Sequence, residues 1–141
     1  MTLAAILQQR ESEVIQVTPD TPVHTIVALL ADHRIGAVPV VDDGDVVGIM
    51  SERDVIYSLR RDGPAILDWP VERVMTRPAI TVDSSLSPLA GLSLMTRRRI
   101  RHLPVVDSGR LVGFISIGDL VKARIELIEG EAEAMRAYIA S

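Results

Sequence analysis

Cysteine is absent from the 141-residue chain, which excludes disulfides, thiolate metal sites and thiol catalysis. Aromatic side chains make up only 3% of it. The core must therefore be aliphatic, and the interleaved aromatics on which single-stranded nucleic acid stacks are missing. No apolar run approaches the roughly 18 residues of a membrane span. The opening Met1-Thr2-Leu3-Ala4-Ala5-Ile6-Leu7 lacks the basic flank and long apolar stretch of a signal peptide. A positive balance is missing too: the formal net charge is −4, which argues against general attraction to nucleic acid. One cluster, Arg97, Arg98, Arg99 and Arg101, runs against that balance. These absences lead to the expectation of a soluble, cytoplasmic protein.

What is present is a repeat. Hydrophobic residues account for 48% of the chain, and they recur in a fixed order. Sliding the sequence along itself until Arg34-Ile35 meets Arg99-Ile100 brings Pro39-Val40-Val41-Asp42 onto Pro104-Val105-Val106-Asp107. The same shift superposes Val47-Gly48 on Val112-Gly113, Ser51 on Ser116 and Asp54 on Asp119. Self-similarity of this kind signals two copies of one supersecondary unit. The division that follows is an N-terminal helix over 1–13, a first unit over 14–61 and a linker over 62–77. A second unit covers 78–126, and a helical extension covers 127–141.

Each unit reads the same way. Val14-Ile15-Gln16-Val17 and Ala79-Ile80-Thr81-Val82 predict short strands. Thr21 or Ser87 then predicts a helix N-cap, with Pro22 or Pro88 in the first helical position. Val23, Ile26, Val27 and Leu30 lie on one face of a helix over 23–34. The β-branched runs 38–41 and 46–50, split by Asp42-Asp43-Gly44-Asp45, predict a hairpin; 103–106 and 111–115 repeat it around Ser108-Gly109. A helix starting near Asp54 or Asp119 closes each unit. The order is β-α-β-β-α, twice, an α/β chain of the α+β kind. A unit this small buries too little surface to stand alone, so the two are expected to pack into one body through their helices. In the last helix Val121, Ile125, Ile128, Ala132, Met135 and Ile139 recur at helical spacing, with Gly130 as a weak point.

Here the residues point to a family. Each unit resembles a cystathionine-β-synthase-type (CBS) domain: Pro-Val-Val-Asp, a Gly turn, then Val-Gly-hydrophobic-x-Ser-x-x-Asp. Gly48-Ile49-Met50-Ser51-Glu52-Arg53-Asp54 and Gly113-Phe114-Ile115-Ser116-Ile117-Gly118-Asp119 both fit the closing motif. Val74-Met75-Thr76-Arg77-Pro78 resembles the lead-in to a second such domain. The resemblance implies a pseudo-twofold pair of domains (a Bateman module), often dimerised, with two clefts. Those clefts commonly hold AMP, ADP, ATP, NAD or S-adenosylmethionine. It therefore implies an adenine nucleotide as a regulatory ligand, a homodimer, and a separate regulated protein as partner. No catalytic cofactor, catalytic residue or metal is expected.

A carboxylate fixed at a helix start can accept hydrogen bonds from two ribose hydroxyls. Asp54 and Asp119 sit at such starts, and the Ser51 or Ser116 hydroxyl, with helix N-terminal amides, can meet a phosphate or ribose oxygen. The same Ser-x-x-Asp is also a capping box, and a cap need not exclude a ligand. By resemblance the cleft of Asp54 uses Met50 and Ser51, with Pro78, Ala79 and Ile80 against adenine and Arg101 and His102 toward phosphate. The cleft of Asp119 uses Ile115 and Ser116, with Val14, Ile15, Gly36 and Ala37, and Arg53 reaches its phosphate. Gly118 matches Arg53 and Gly36 matches Arg101, so the clefts are expected to bind unequally, more tightly at Asp54. His24 and His33 read as surface and helix-end residues. Two other readings compete: a constitutive dimeric adaptor without ligand, and a nucleic-acid binder using Arg97–Arg101. No Ser/His/Asp set or His pair suggests catalysis.

Overall fold

A computed structural model describes residues 1–10 and 13–141. The expected N-terminal helix is α1, Leu3–Gln8; positions 11 and 12 of that expectation lie outside the described residues. The first unit holds α2 (Val23–His33), β1 (Ala37–Asp42), β2 (Asp45–Ser51) and α3 (Glu52–Asp62). The second holds α4 (Pro88–Arg98), β3 (His102–Asp107), β4 (Arg110–Ser116) and α5 (Ile117–Ala140). β1 pairs with β2 and β3 with β4, both antiparallel. Each hairpin turns on two residues with positive φ, Asp43 and Gly44 (49° and 86°) or Ser108 and Gly109 (50° and 76°). That is the backbone of a type I′ turn, whose twist matches the flanking strands.

The strands expected before each helix shrink to one parallel bridge apiece, Val17 to Val40 and Val82 to Val105. The cause is a proline. The Val17 amide donates to the Pro39 carbonyl at 3.1 Å, and the Val41 amide donates to the Val17 carbonyl at 2.8 Å. The next ladder bond would need an N–H from Pro39, which has none. Pro104 stops the ladder at Val82 in the same way, after bonds of 3.1 and 2.8 Å.

The two helix starts differ by one residue. Ser87 caps α4, its Oγ accepting from the Ala90 amide at 3.1 Å, with Pro88 in the first helical position. α2 begins at Val23, with Pro22 in the cap position. Thr21 does not cap it: its Oγ1 accepts from the Thr18 amide at 3.2 Å, and its carbonyl is held by the Val71 amide at 2.8 Å.

Two aliphatic cores result. Val23, Ile26 and Leu30 of α2 meet Val38 and Val40 of β1 and Met50 of β2. The linker completes this core, because its two 3-10 turns, Pro64–Asp68 and Val71–Arg73, bury Ile66 and Val71 fully. Met95, Leu103, Val105, Ile115 and Leu120 form the second core. Leu3 of α1 is fully buried there, and Ile6 and Leu7 pack against it. The N-terminal helix therefore serves the second unit.

The most extensive contact between the elements of the two units is strand on strand, where helix packing was expected. α2 packs on α3 and α4 on α5, each within its own unit, while β2 meets β4 across the boundary. The lead-in segments cross over as well. Thr76 exchanges backbone hydrogen bonds with Ile49 at 2.9 and 3.0 Å. Leu7 lies over Gly113 as Met75 lies over Gly48; a Cβ at either glycine would collide with those side chains. α5 runs unbroken through Gly130, and its Ile125, Ile128, Met135 and Ile139 stay exposed.

Candidate functional site

Two clefts open where the start of one unit's last helix faces the other unit's lead-in. Both helix starts carry a complete capping box. The Ser51 amide donates to Asp54 Oδ2 at 2.9 Å while Ser51 Oγ accepts from the Asp54 amide at 3.2 Å. Ser116 and Asp119 reproduce this at 2.8 and 3.2 Å. The capping reading is thus correct for both motifs. The cap does not use up the carboxylate, because only one oxygen of each, Oδ2, accepts from the serine amide.

The Asp54 cleft encloses about 260 Å³. Ser51, Asp54, Pro78, Ala79, Ile80, Arg101 and His102, all expected there, line it. Asp54 Oδ1 accepts from the Thr76 hydroxyl at 2.8 Å. Arg53, Arg99 and Arg101 stand on its walls against the carboxylates of Glu52 and Asp54. Arg53 thus lines this cleft and not the Asp119 cleft, where it was expected. It sits in the first turn of α3 beside Asp54, so its stem starts on this wall.

The Asp119 cleft is larger, about 520 Å³. Val14, Ile15, Gly36, Ala37, Ser116 and Asp119 line it as expected. Arg10 and Arg34 stand there against Glu13 and Asp119. Arg10 is already committed: its guanidinium pairs with Asp119 Oδ2 and donates to the Phe114 carbonyl at 2.7 Å. Burial alone would raise the Asp119 carboxyl. The Ser116 amide, the Arg10 guanidinium and the Ser116 hydroxyl more than offset that and hold it below the usual carboxylate range.

Met50 and Ile115, both expected against ligand, line neither cleft. Each is fully buried in its unit's core. Side chains alternate along a strand, so Gly48 and Met50 share the core side while Ile49 faces the Asp54 cleft. Phe114 takes that place in the second unit. There it stacks on His102, with ring centroids 5.4 Å apart and planes inclined by 9°. His102 lines both clefts. Burial pushes its imidazole below the usual range, Asp119 and Glu52 pull the other way, and Arg101 adds to the lowering.

Arg34 and Arg99 were not among the expected site residues. Each is the left-handed residue that ends its helix, with φ of 53° and 55°. Non-glycine residues rarely adopt this conformation, and here it directs the chain past the cleft that each arginine lines. Their superposition in the repeat was the available signal. Arg99 and Arg101 also divide the arginine cluster, since both line the Asp54 cleft while Arg97 and Arg98 stay in the last turn of α4. Among the described residues no group of three or more His, Asp or Glu side chains could hold a metal ion, and no helix is long and apolar enough to cross a membrane.

The comparisons agree with this geometry. The chain is 34% identical over 127 residues to the mitochondrial CBS domain-containing protein CBSX3 of Arabidopsis thaliana, covering 86% of itself and 62% of that relative. It thus spans less than two thirds of that protein's length. The crystal structure of the CBS-domain containing protein ATU1752 of Agrobacterium tumefaciens superposes with a TM-score of 0.83 at 38% identity, over 88% of this chain and 99% of that one. A structure of CBSX2 in complex with AMP superposes with a TM-score of 0.75 at 26% identity, over 89% and 97%. The CBS domain family model matches residues 10–61 and 71–126, so the two repeats, the paired hairpins and the crossed lead-ins are those of a chain that belongs to the CBS domain family and carries two CBS domains.

Proposed function

We propose that this chain is a regulatory module that binds an adenine nucleotide in the Asp54 cleft and catalyses no reaction. Asp54 takes the ribose hydroxyls. Pro78, Ala79 and Ile80 lie against the base, and Arg101, with Arg53 and Arg99, meets the phosphates through charge-assisted hydrogen bonds. The observation that carries this reading is the cleft's charge. Three arginines outnumber two carboxylates around a carboxylate oriented by its own helix cap. That the CBSX2 structure is a complex with AMP supports the same ligand class. Volume alone would favour the Asp119 cleft, but its charges balance. The phosphate end of a nucleotide therefore gains more at Asp54, and binding there is the tighter of the two.

The module acts as a homodimer on a separate partner protein. Ile56 and Tyr57 of α3 are 61% and 63% exposed, and Val121 and Ile125 of α5 are 43% and 50% exposed. An apolar face of this kind is stabilised by a second copy. Thermal unfolding with AMP, ATP, NAD and S-adenosylmethionine tests the ligand class. A ligand at a hundredfold excess over its Kd adds about 2.7 kcal/mol, and no shift with any of the four overturns the reading. A monomer mass by light scattering overturns the dimer.

A further inference from the structure

The N-terminal segment ends inside the Asp119 cleft. Leu7 seats against Gly113, closely enough that a Cβ there would collide with it. Three residues on, Arg10 leaves α1 and turns inward. Its guanidinium joins Asp119 Oδ2, the oxygen that also receives the Ser116 amide, and donates to the Phe114 carbonyl. Among the described residues no charged donor holds the other cleft's carboxylate: Asp54 Oδ2 accepts from the Ser51 amide and hydroxyl, and Oδ1 accepts from the Thr76 hydroxyl, all neutral donors.

We infer that Arg10 is an internal competitor that decides which cleft takes ligand: it holds the Asp119 carboxylate against a ribose, leaving the Asp54 cleft as the high-affinity site. A ribose diol binds a carboxylate by displacing or sharing the donors that already hold its oxygens, and neutral hydroxyls give way more readily than a charged group. At Asp119 one oxygen is already shared between an amide and a guanidinium, and a hydroxyl is a weaker donor than a charged guanidinium. The depressed Asp119 carboxyl agrees with that pairing. Both partners remain about one third exposed, so the pair is partly screened and yields to a ligand at sufficient concentration. Occupancy of the second cleft then displaces the arm that tethers α1. The inference rests on the nucleotide reading of the clefts given above.

Calorimetric titration of the full chain with AMP tests it. The wild-type protein is expected to bind one equivalent tightly and a second weakly. Arg10→Ala and Arg10→Gln are both expected to strengthen the second site by roughly three- to tenfold. The Arg10→Ala, Asp119→Ala double variant is expected to lose that gain. Gln keeps the length of the arm without its charge, so it reports competition even if Ala unsettles α1. A second site unchanged in both single variants overturns the inference while leaving the nucleotide reading intact. A second site weakened in both makes Arg10 a phosphate anchor and also overturns it. Absence of AMP binding at Asp54 in the wild type is a different failure: the titration then uses whichever of ATP, NAD or S-adenosylmethionine shifts the melting curve, and if none does, the nucleotide reading and the inference fall together.

Discussion

The two clefts are built from one repeated sequence and present different charges. Around Asp54, three arginines stand against two carboxylates; around Asp119, two stand against two, and one of those pairs is joined. The skeletons match closely: two capping boxes, two type I′ turns, two left-handed arginines and two single-bridge strands. What differs comes from places where the repeat does not constrain the chain. Arg53 has Gly118 as its counterpart, Arg101 has Gly36, and Arg10 comes from the segment ahead of the first unit. The repeat fixes where the clefts are, and the unmatched positions fix how each one binds.

Removing the two cleft carboxylates tests that contrast most directly. Asp54→Ala is expected to weaken AMP binding by roughly ten- to hundredfold, the worth of one or two hydrogen bonds to a charged group. Asp119→Ala should leave the tighter site within error, as read by calorimetry. Each variant also loses a cap, at about 1 kcal/mol of stability, so a melting curve separates folding from binding. Arg101→Ala is expected to cost about tenfold in affinity for AMP and little for adenosine, since its proposed partner is phosphate; equal losses for both ligands would place Arg101 elsewhere.

The glycines under the crossed lead-ins give a contrast in stability. A Cβ at Gly48 would stand 2.9 Å from the Thr76 backbone carbonyl, which is held in place by the Ile49 amide. At Gly113 the obstacle is the tip of Leu7, which can rotate away. Gly48→Ala is therefore expected to destabilise by about 1–3 kcal/mol and Gly113→Ala by less, measured by chemical denaturation. The smallest effect expected is one of pH. His102 has a depressed pKa because burial disfavours its charged form. Below about pH 6.5 the unfolded chain binds a proton there that the folded chain resists. Stability should thus fall as pH drops from 7 toward 5, and His102→Gln should flatten that part of the curve.

Much of this was legible in the residues. The repeat located both hairpins, both last helices and both cap motifs, because each depends on local chemistry: glycine at positive φ, serine and aspartate three apart, apolar residues at helical spacing. Errors arose where a residue's fate depends on what lies beside it in space. Met50 adjoins Ser51 in sequence, yet the pleat sends it into the core; counting alternate residues onward from the buried Gly48 puts Met50 on the core side and Ile49 on the cleft side. The short strands at 14–17 and 79–82 have strand composition, but their extent is set by a proline on the neighbouring strand. The resemblance put Arg53 in the Asp119 cleft, whereas it lines the Asp54 cleft, because its own helix turn decides where its stem starts. Arg10 lies ahead of the repeat, so nothing in the sequence aligned it with a partner more than a hundred residues away.

Pro39 and Pro104 have a second effect, on what the molecule does in company. Each hairpin has two strands and therefore two edges, and a foreign strand could join the one on β1 or β3. On that edge the proline presents a ring where a donor would be required, the single bridge at Val17 or Val82 occupies the neighbouring bonds, and further pairing lacks a place to begin. The residue that most plainly marks the repeat to a reader of the sequence thus also guards the open side of each sheet against growth into an aggregate.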